Sequence, residues 1–348
     1  MELPPVSPRS HLLAAGLAAG LIVPAGQAAA NDSTAELATG GLVLTKTADI
    51  EMRSEDLFIS TKEIRVTYRF RNTSAQDKTV TVAFPMPDIT LDYIDNMTSV
   101  PHEGVENFLD FSTKADGRPV TTHVEVKAFA DGVDQTDLLR RMKIPLYPSI
   151  EDETLDKLPP AEWDRFEKLG LGAVSEYDAG KGWEKHLTPA WTLKTTYYFE
   201  QTFPAGRDVT IEHRYTPSVG ASAGTSVGQT YIDQATNREV PSDAIAKYCV
   251  DSSMLAAVAR AQTAAKQDFP PFTEERIAYV LKTGANWAAP IGDFRLVIDK
   301  GAAHNLLSLC AEGVKKISPT QFEIRRTNYS PANDLDILIL VPYQPSAQ

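Results

Sequence analysis

The chain has 348 residues, with 46 acidic against 34 basic side chains and a formal charge of −12. That excess of acid repels phosphate backbones, and no basic run with interleaved aromatics offsets it, which excludes nucleic acid as a partner. The length exceeds one typical domain, and a hydrophobic fraction of 43% argues against wholesale disorder.

Residues 1–30 read as a secretory signal. A short polar start containing Glu2 and Arg9 precedes the apolar stretch LLAAGLAAGLIVP from Leu12 to Pro24. That stretch falls short of the roughly 20 apolar residues needed to cross a bilayer. Ala28 and Ala30 place small side chains at −3 and −1, so the expected cut lies between Ala30 and Asn31. No later segment is long and apolar enough to span a membrane. The expected location is therefore periplasmic or secreted.

Period-two alternation begins in the stretch from Glu55 to Phe84. Ile64, Val66, Tyr68 and Phe70 alternate with Arg65, Thr67, Arg69 and Arg71, the pattern of a strand with one buried face. Val80, Val82 and Phe84 resume the alternation after a polar turn, which predicts an antiparallel hairpin ended by Pro85 and Pro87. Asp116-Gly117 marks a turn before a further strand over 120–127. A short helix is predicted over 136–142. A second should start at Pro160, with proline at N1 and Gly170 closing the other end. The glycine-rich stretch 170–182 reads as loop. Strands return at 191–203 and 209–215. A long helix over 242–266, capped by Ser242, precedes short strands near 276–283, 292–299, 304–310, 320–327 and 335–342.

Together these elements predict a mainly β protein of two β-sandwich-like domains joined by a helical connector. The divisions are 1–30 signal peptide, 31–133 N-terminal domain, 134–184 connector and 185–348 C-terminal domain carrying the 242–266 helix.

The opening NDSTAELATGGLVLTKTADIEM, the pieces YRFRNTS, VAFPMPDI, HRYTPSVG and KTGANWAAPIGDFRLVIDKG, and the tail GVKKISPTQFEIRRTNYSP resemble an exported bacterial family, domain of unknown function 4424. The resemblance implies export and transfers no catalytic residue. Val66 to Pro87 is also similar to the hairpin of vault/inter-alpha-trypsin type domains, a fold-level analogy only.

Several constellations bear on chemistry. Gly220–Gly224 and Gly224–Gly228 both match G-x-S-x-G, with Ser222 and Ser226 at the nucleophile position and His304 downstream to complete a triad. The segment leaving this loop lacks a helical apolar face, so the hydrolase remains the alternative reading. No H-E-x-x-H or C-x-x-C spacing occurs, so neither a metal site nor a cofactor is assigned. His213 shares a strand face with Ile211 and Tyr215, as a core histidine would. Asp88, Asp92 and Asp95 could offer hard oxygen ligands to calcium, without the spacing of an EF-hand. Trp287, in a Gly/Pro-flanked turn, either stacks on a ligand or plugs the sandwich. Cys249 and Cys310, the two cysteines of an exported chain, are expected to form a disulfide. The leading function is a non-enzymatic binding or interaction module with an unidentified envelope or extracellular partner.

Overall fold

The structure, a computed structural model, describes residues 31–38, 41–91, 97–148, 153–178, 182–233 and 235–343. The proposed signal and its cleavage residue Ala30 lie outside these, as do Asp92 and Asp95. The protein is mainly β, as its alternation implies.

Two large sheets face each other. The eight-stranded sheet runs in the order Lys315–Lys316, Gln321–Tyr329, Ile291–Asp299, Ile50–Ile59, Ile64–Asn72, Asp208–Tyr215, Ser112–Ala115, Arg118–Val120. All its pairs are antiparallel except Ile291–Asp299 against Ile50–Ile59. The opposing sheet runs Val133–Asp134, His123–Ala130, Thr192–Phe203, Lys78–Pro85, Ser33–Ala38, Gly41–Thr45. Ile64, Val66, Tyr68 and Phe70 point inward from the first, and Val82, Phe84, Tyr197 and Phe199 belong to the same core from the second. Rings meet across the gap: Phe70 lies edge-on to Phe203 at 5.7 Å and Phe84 to Tyr215 at 5.8 Å.

A third, five-stranded sheet, in the order Leu306–Leu309, Leu335–Pro342, Phe272–Tyr279, Val219–Ser222, Met97–Ser99, adds its inner face to this core. The Leu335–Pro342 strand has no polar alternation in LILV because both its faces are covered. Ile337 and Ile339 enter the main core, while Leu338 and Leu340 meet Met254 and Val258 of the Ser252–Ala265 helix.

The sequence expectation of two consecutive sandwich domains is corrected by the pairing. Thr192–Phe203 lies between Lys78–Pro85 and His123–Ala130, and Asp208–Tyr215 pairs with Ile64–Asn72. Strands from before 133 and after 185 thus share sheets and one core. The hairpin expected over 64–84 is also corrected. Ile64–Asn72 pairs with Ile50–Ile59, and Lys78–Pro85 joins the opposite sheet. The intervening loop arches between sheets, anchored by the Asn72 amide, which donates to the Gln76 and Phe203 carbonyls at 2.8 Å each.

Within the expected connector, the Thr136–Arg141 and Pro160–Lys168 helices form where composition places them, the latter with Pro160 at N1 and Gly170 at φ +64°. The stretch after Gly170 is instead a two-stranded ribbon, Gly172–Asp178 against Trp183–Pro189. The 242–266 helix is two helices, Asp243–Lys247 and Ser252–Ala265. Cys249, at φ +51°, turns the chain between them, and the Asp251 carboxylate caps the second by accepting from Met254 N. Ser242 caps the first as expected, accepting from Ala244 N. Cys249 and Cys310 are bonded as a disulfide, with Cα atoms 5.0 Å apart. Gly292 is required by packing: a Cβ there would lie 2.5 Å from the Arg53 carbonyl oxygen.

Candidate functional site: a sealed polar network and an open cleft

The most concentrated titratable chemistry is buried where the Asn31-Asp32 segment enters the core ahead of the Ser33–Ala38 strand. Asn31 N–H donates to Thr283 Oγ1 at 2.7 Å, and the Thr283 hydroxyl donates back to the Asn31 carbonyl at 2.7 Å. The Asn31 amide donates to Glu55 Oε2 at 3.0 Å and accepts from the Tyr68 hydroxyl. Tyr68 and Tyr279 hydroxyls lie 3.3 Å apart. Asp32 Oδ1 is 3.0 Å from His213 Nε2, whose other nitrogen is 3.0 Å from Thr113 Oγ1. The Trp287 indole N–H donates to the Asp32 carbonyl at 2.7 Å. Every one of these residues is buried.

Electrostatics follow from that burial. Desolvation, opposed by the Asn31 amide and reinforced by the Asp32 charge, pushes Glu55 up to about 8. Burial likewise holds the Tyr68 and Tyr279 hydroxyls well above the usual tyrosine range. Two acceptors, Asp32 Oδ2 and Glu55 Oε1, have no hydrogen-bond partner among the described residues. Such a network joins elements far apart in sequence, and its enclosed position suits a structural role.

Sequence periodicity carried part of this signal. Glu55 lies in phase with Leu57 and Ile59, all three facing inward, so a carboxylate occupies an apolar position of the strand. His213 does the same between Ile211 and Tyr215, as expected of a core histidine. Asn31 and Asp32 gave no such signal, because no strand pattern precedes them.

The other sequence candidates separate. Trp287 is buried against Phe70, with ring centroids 4.4 Å apart, which corrects its candidacy as a ligand-stacking residue in favour of the plug. Ser222 Oγ accepts from Arg276 Nη1 at 2.6 Å and contacts Glu274 Oε2 at 3.4 Å. Ser226 Oγ accepts from the Ser242 hydroxyl at 2.7 Å. No histidine is among these partners, and His304 sits exposed on a turn. The chain leaving Ser222 runs through bends rather than a helix, so the strained strand-to-helix turn of a hydrolase elbow is not formed. Asp88 pairs with Lys194 at 2.6 Å. Among the described residues, no group of histidine, cysteine and acidic side chains is arranged to hold a metal ion.

A cleft of about 770 Å³ opens beside the His123–Ala130 strand. Its walls carry Glu106, Glu125, Lys127, Asp137 and Arg140 with the rings of Tyr147 and Tyr198, and among the described residues its lining includes no serine, cysteine or histidine. Burial and the neighbouring Glu103 charge push the Tyr147 hydroxyl up to about 12, so it remains a hydrogen-bond donor at neutral pH. A second depression of the same volume lies over the disulfide, between Leu307, Leu309, Val314 and Phe322.

Fold and site together define a mainly β, disulfide-bonded protein with a sealed polar core and surface clefts. The chain belongs to the family described as Domain of unknown function (DUF4424), whose sequence model matches residues 30–338. No curated protein matches the chain. Among solved structures it is similar to a candidate nutrient-binding protein from Legionella pneumophila, at 15% identity and a TM-score of 0.41, covering 90% of this chain and 70% of that one. It is also similar to an M1 zinc metallopeptidase from Deinococcus radiodurans, at 9% identity and a TM-score of 0.20, covering 85% of this chain and 43% of that one. A two-domain M1 zinc metallopeptidase bound to L-tryptophan gives 8% identity and a TM-score of 0.21, with 85% and 44% covered. The chain spans less than half the length of these peptidases. Likenesses this distant carry no conclusion about activity. Among the described residues, no helix is long and apolar enough to cross a membrane.

Proposed function

We propose that this is an exported, non-enzymatic binding protein of the cell envelope that takes a small polar ligand in the cleft beside His123–Ala130. One observation carries the reading: that cleft combines acidic side chains, Lys127 and Arg140 with two tyrosine rings, and no serine, cysteine or histidine stands among its described lining residues. Aromatic rings with a few convergent polar groups are what a small-molecule site needs for contact area and orientation. The buried titratable groups Asp32, Glu55, Tyr68, His213 and Tyr279 are not part of the cleft's lining. Export rests on the leader and on the disulfide, which an oxidising compartment would favour.

The test is a thermal-shift and calorimetric screen of the protein against amino acids, short peptides, polyamines and oligosaccharides. One class should raise the melting temperature, and Arg140→Ala and Tyr198→Ala should remove that rise without lowering the unliganded melting point by more than a few degrees. Absence of binding by all four classes, together with fluorophosphonate labelling of Ser222 or Ser226, would replace this reading with the hydrolase.

A further inference from the structure

We propose that cleavage between Ala30 and Asn31 creates an α-ammonium group that docks inside the core against Thr283, Glu55 and Asp32, so that maturation completes the fold. The inference rests on the export reading for the cut and on geometry for the docking. Asn31 is fully buried, and its backbone nitrogen already donates to Thr283 Oγ1. Its side chain is fixed at both ends, by Glu55 and Tyr68. Gly284 leaves room for it: a Cβ there would approach the Asn31 amide nitrogen to 2.7 Å.

Hydrogen-bond accounting points the same way. An amide nitrogen has one N–H, which Thr283 takes, whereas an ammonium has three. The same network holds two carboxyl oxygens that have no hydrogen-bond partner among the described residues, Glu55 Oε1 and Asp32 Oδ2. Buried acceptors are seldom left unpaired, because removing them from water costs free energy that only a donor restores. Charge accounting agrees. The titratable groups of the network around Asn31 are Asp32 on its own segment, Glu55 on Ile50–Ile59, Tyr68 on Ile64–Asn72, His213 on Asp208–Tyr215 and Tyr279 on Phe272–Tyr279, while the neutral Thr283 from the Lys282–Asn286 turn contacts the nitrogen itself. That set has two carboxyl groups and one basic side chain. An ammonium group placed there sets a positive charge beside the two acids.

The chemistry is ordinary hydrolysis. A signal peptidase adds water across the Ala30–Asn31 amide, the C–N bond breaks, Ala30 leaves as a carboxylate, and the Asn31 amine takes up a proton. Retained residues ahead of Asn31 would keep this nitrogen an amide and leave both acids without the added donors.

Two chains test the proposal. One begins at Asn31, released from a fusion by a protease that leaves no extra residue. The other retains Ala28-Ala29-Ala30. Both are treated natively and unfolded with an amine-reactive ester at neutral pH, and the N-terminal peptide is quantified by mass spectrometry. The native Asn31 amine should react about 100-fold more slowly than in the unfolded chain, as a group exposed only by opening of the core does. The extended chain's amine should react freely, and that chain should melt lower. Intact mass of the exported protein should give Asn31 as first residue. Rapid native labelling of Asn31, or equal melting of the two chains, overturns the docking. A different first residue in the exported protein overturns the cut and leaves the labelling result to judge the docking alone.

Discussion

Replacing Cys249 and Cys310 together by serine opens a covalent loop of 61 residues. Both residues are exposed, so the change leaves no internal cavity and removes little packing. What remains is the entropy regained by the unfolded chain, which for a loop of this length amounts to about 4 kcal/mol at 25 °C. The unfolding entropy of the roughly 310 residues from Asn31 to Tyr343 is about 0.65 kcal/mol per kelvin, so the melting temperature should fall by roughly 6 °C. Urea unfolding followed by tryptophan fluorescence measures both stability and slope. The slope should rise, because an uncrosslinked unfolded chain exposes more surface. A loss below about 1 kcal/mol with an unchanged slope would refute the loop-closure reasoning and show that the unfolded chain keeps these segments together without the bond.

Tyr68→Asp should cost several kcal/mol, since it places an unpaired carboxylate in the network, whereas Thr67→Asp on the exposed face should cost less than about 0.5 kcal/mol; equal melting shifts would show that the strand faces are reversed. Gly284→Ala should lower stability by about 1–3 kcal/mol, because its methyl group must displace the Asn31 amide and Ile291, and calorimetry reads the change. Glu55 gives a pH signature in a chain that keeps residues ahead of Asn31. Its folded value of about 8 lies above the unfolded value near 4.5, so the folded state holds the extra proton. The corresponding stability is fully present below pH 4.5 and is lost as pH rises through 8; Glu55→Gln should flatten that fall, and identical pH profiles for the two chains would contradict it.

Period-two alternation located the strands at 64–72, 192–203 and 208–215 because each has one face in the core, and alternation records that face directly. It did not record partners. Ile64–Asn72 and Lys78–Pro85 are adjacent in sequence yet belong to opposite sheets, since both present apolar faces to the same core and pair with strands more distant along the chain. The Gly172–Asp178 and Trp183–Pro189 ribbon offers no apolar phase to read, because its residues are mostly exposed; Trp183 is 74% exposed. The break at Cys249 was hidden by good helix formers on either side. Of the polar network, Glu55, Tyr68 and His213 were legible as polar groups in apolar phase. Their meeting with Asn31 and Thr283, 252 residues apart, depends on the completed fold.

The Asn31-Asp32 segment is an interior element that ties the sheets into one core. The Trp287 indole proton reports on it, because its acceptor is the buried Asp32 carbonyl. Native-state hydrogen exchange followed by NMR compares this proton with that of the exposed Trp183 in the same sample. The Trp287 indole should exchange only through global unfolding, with a free energy matching that from urea denaturation, while Trp183 exchanges freely. Exchange of the Trp287 indole as fast as that of Trp183 would contradict the claim, showing that the segment leaves the core in solution.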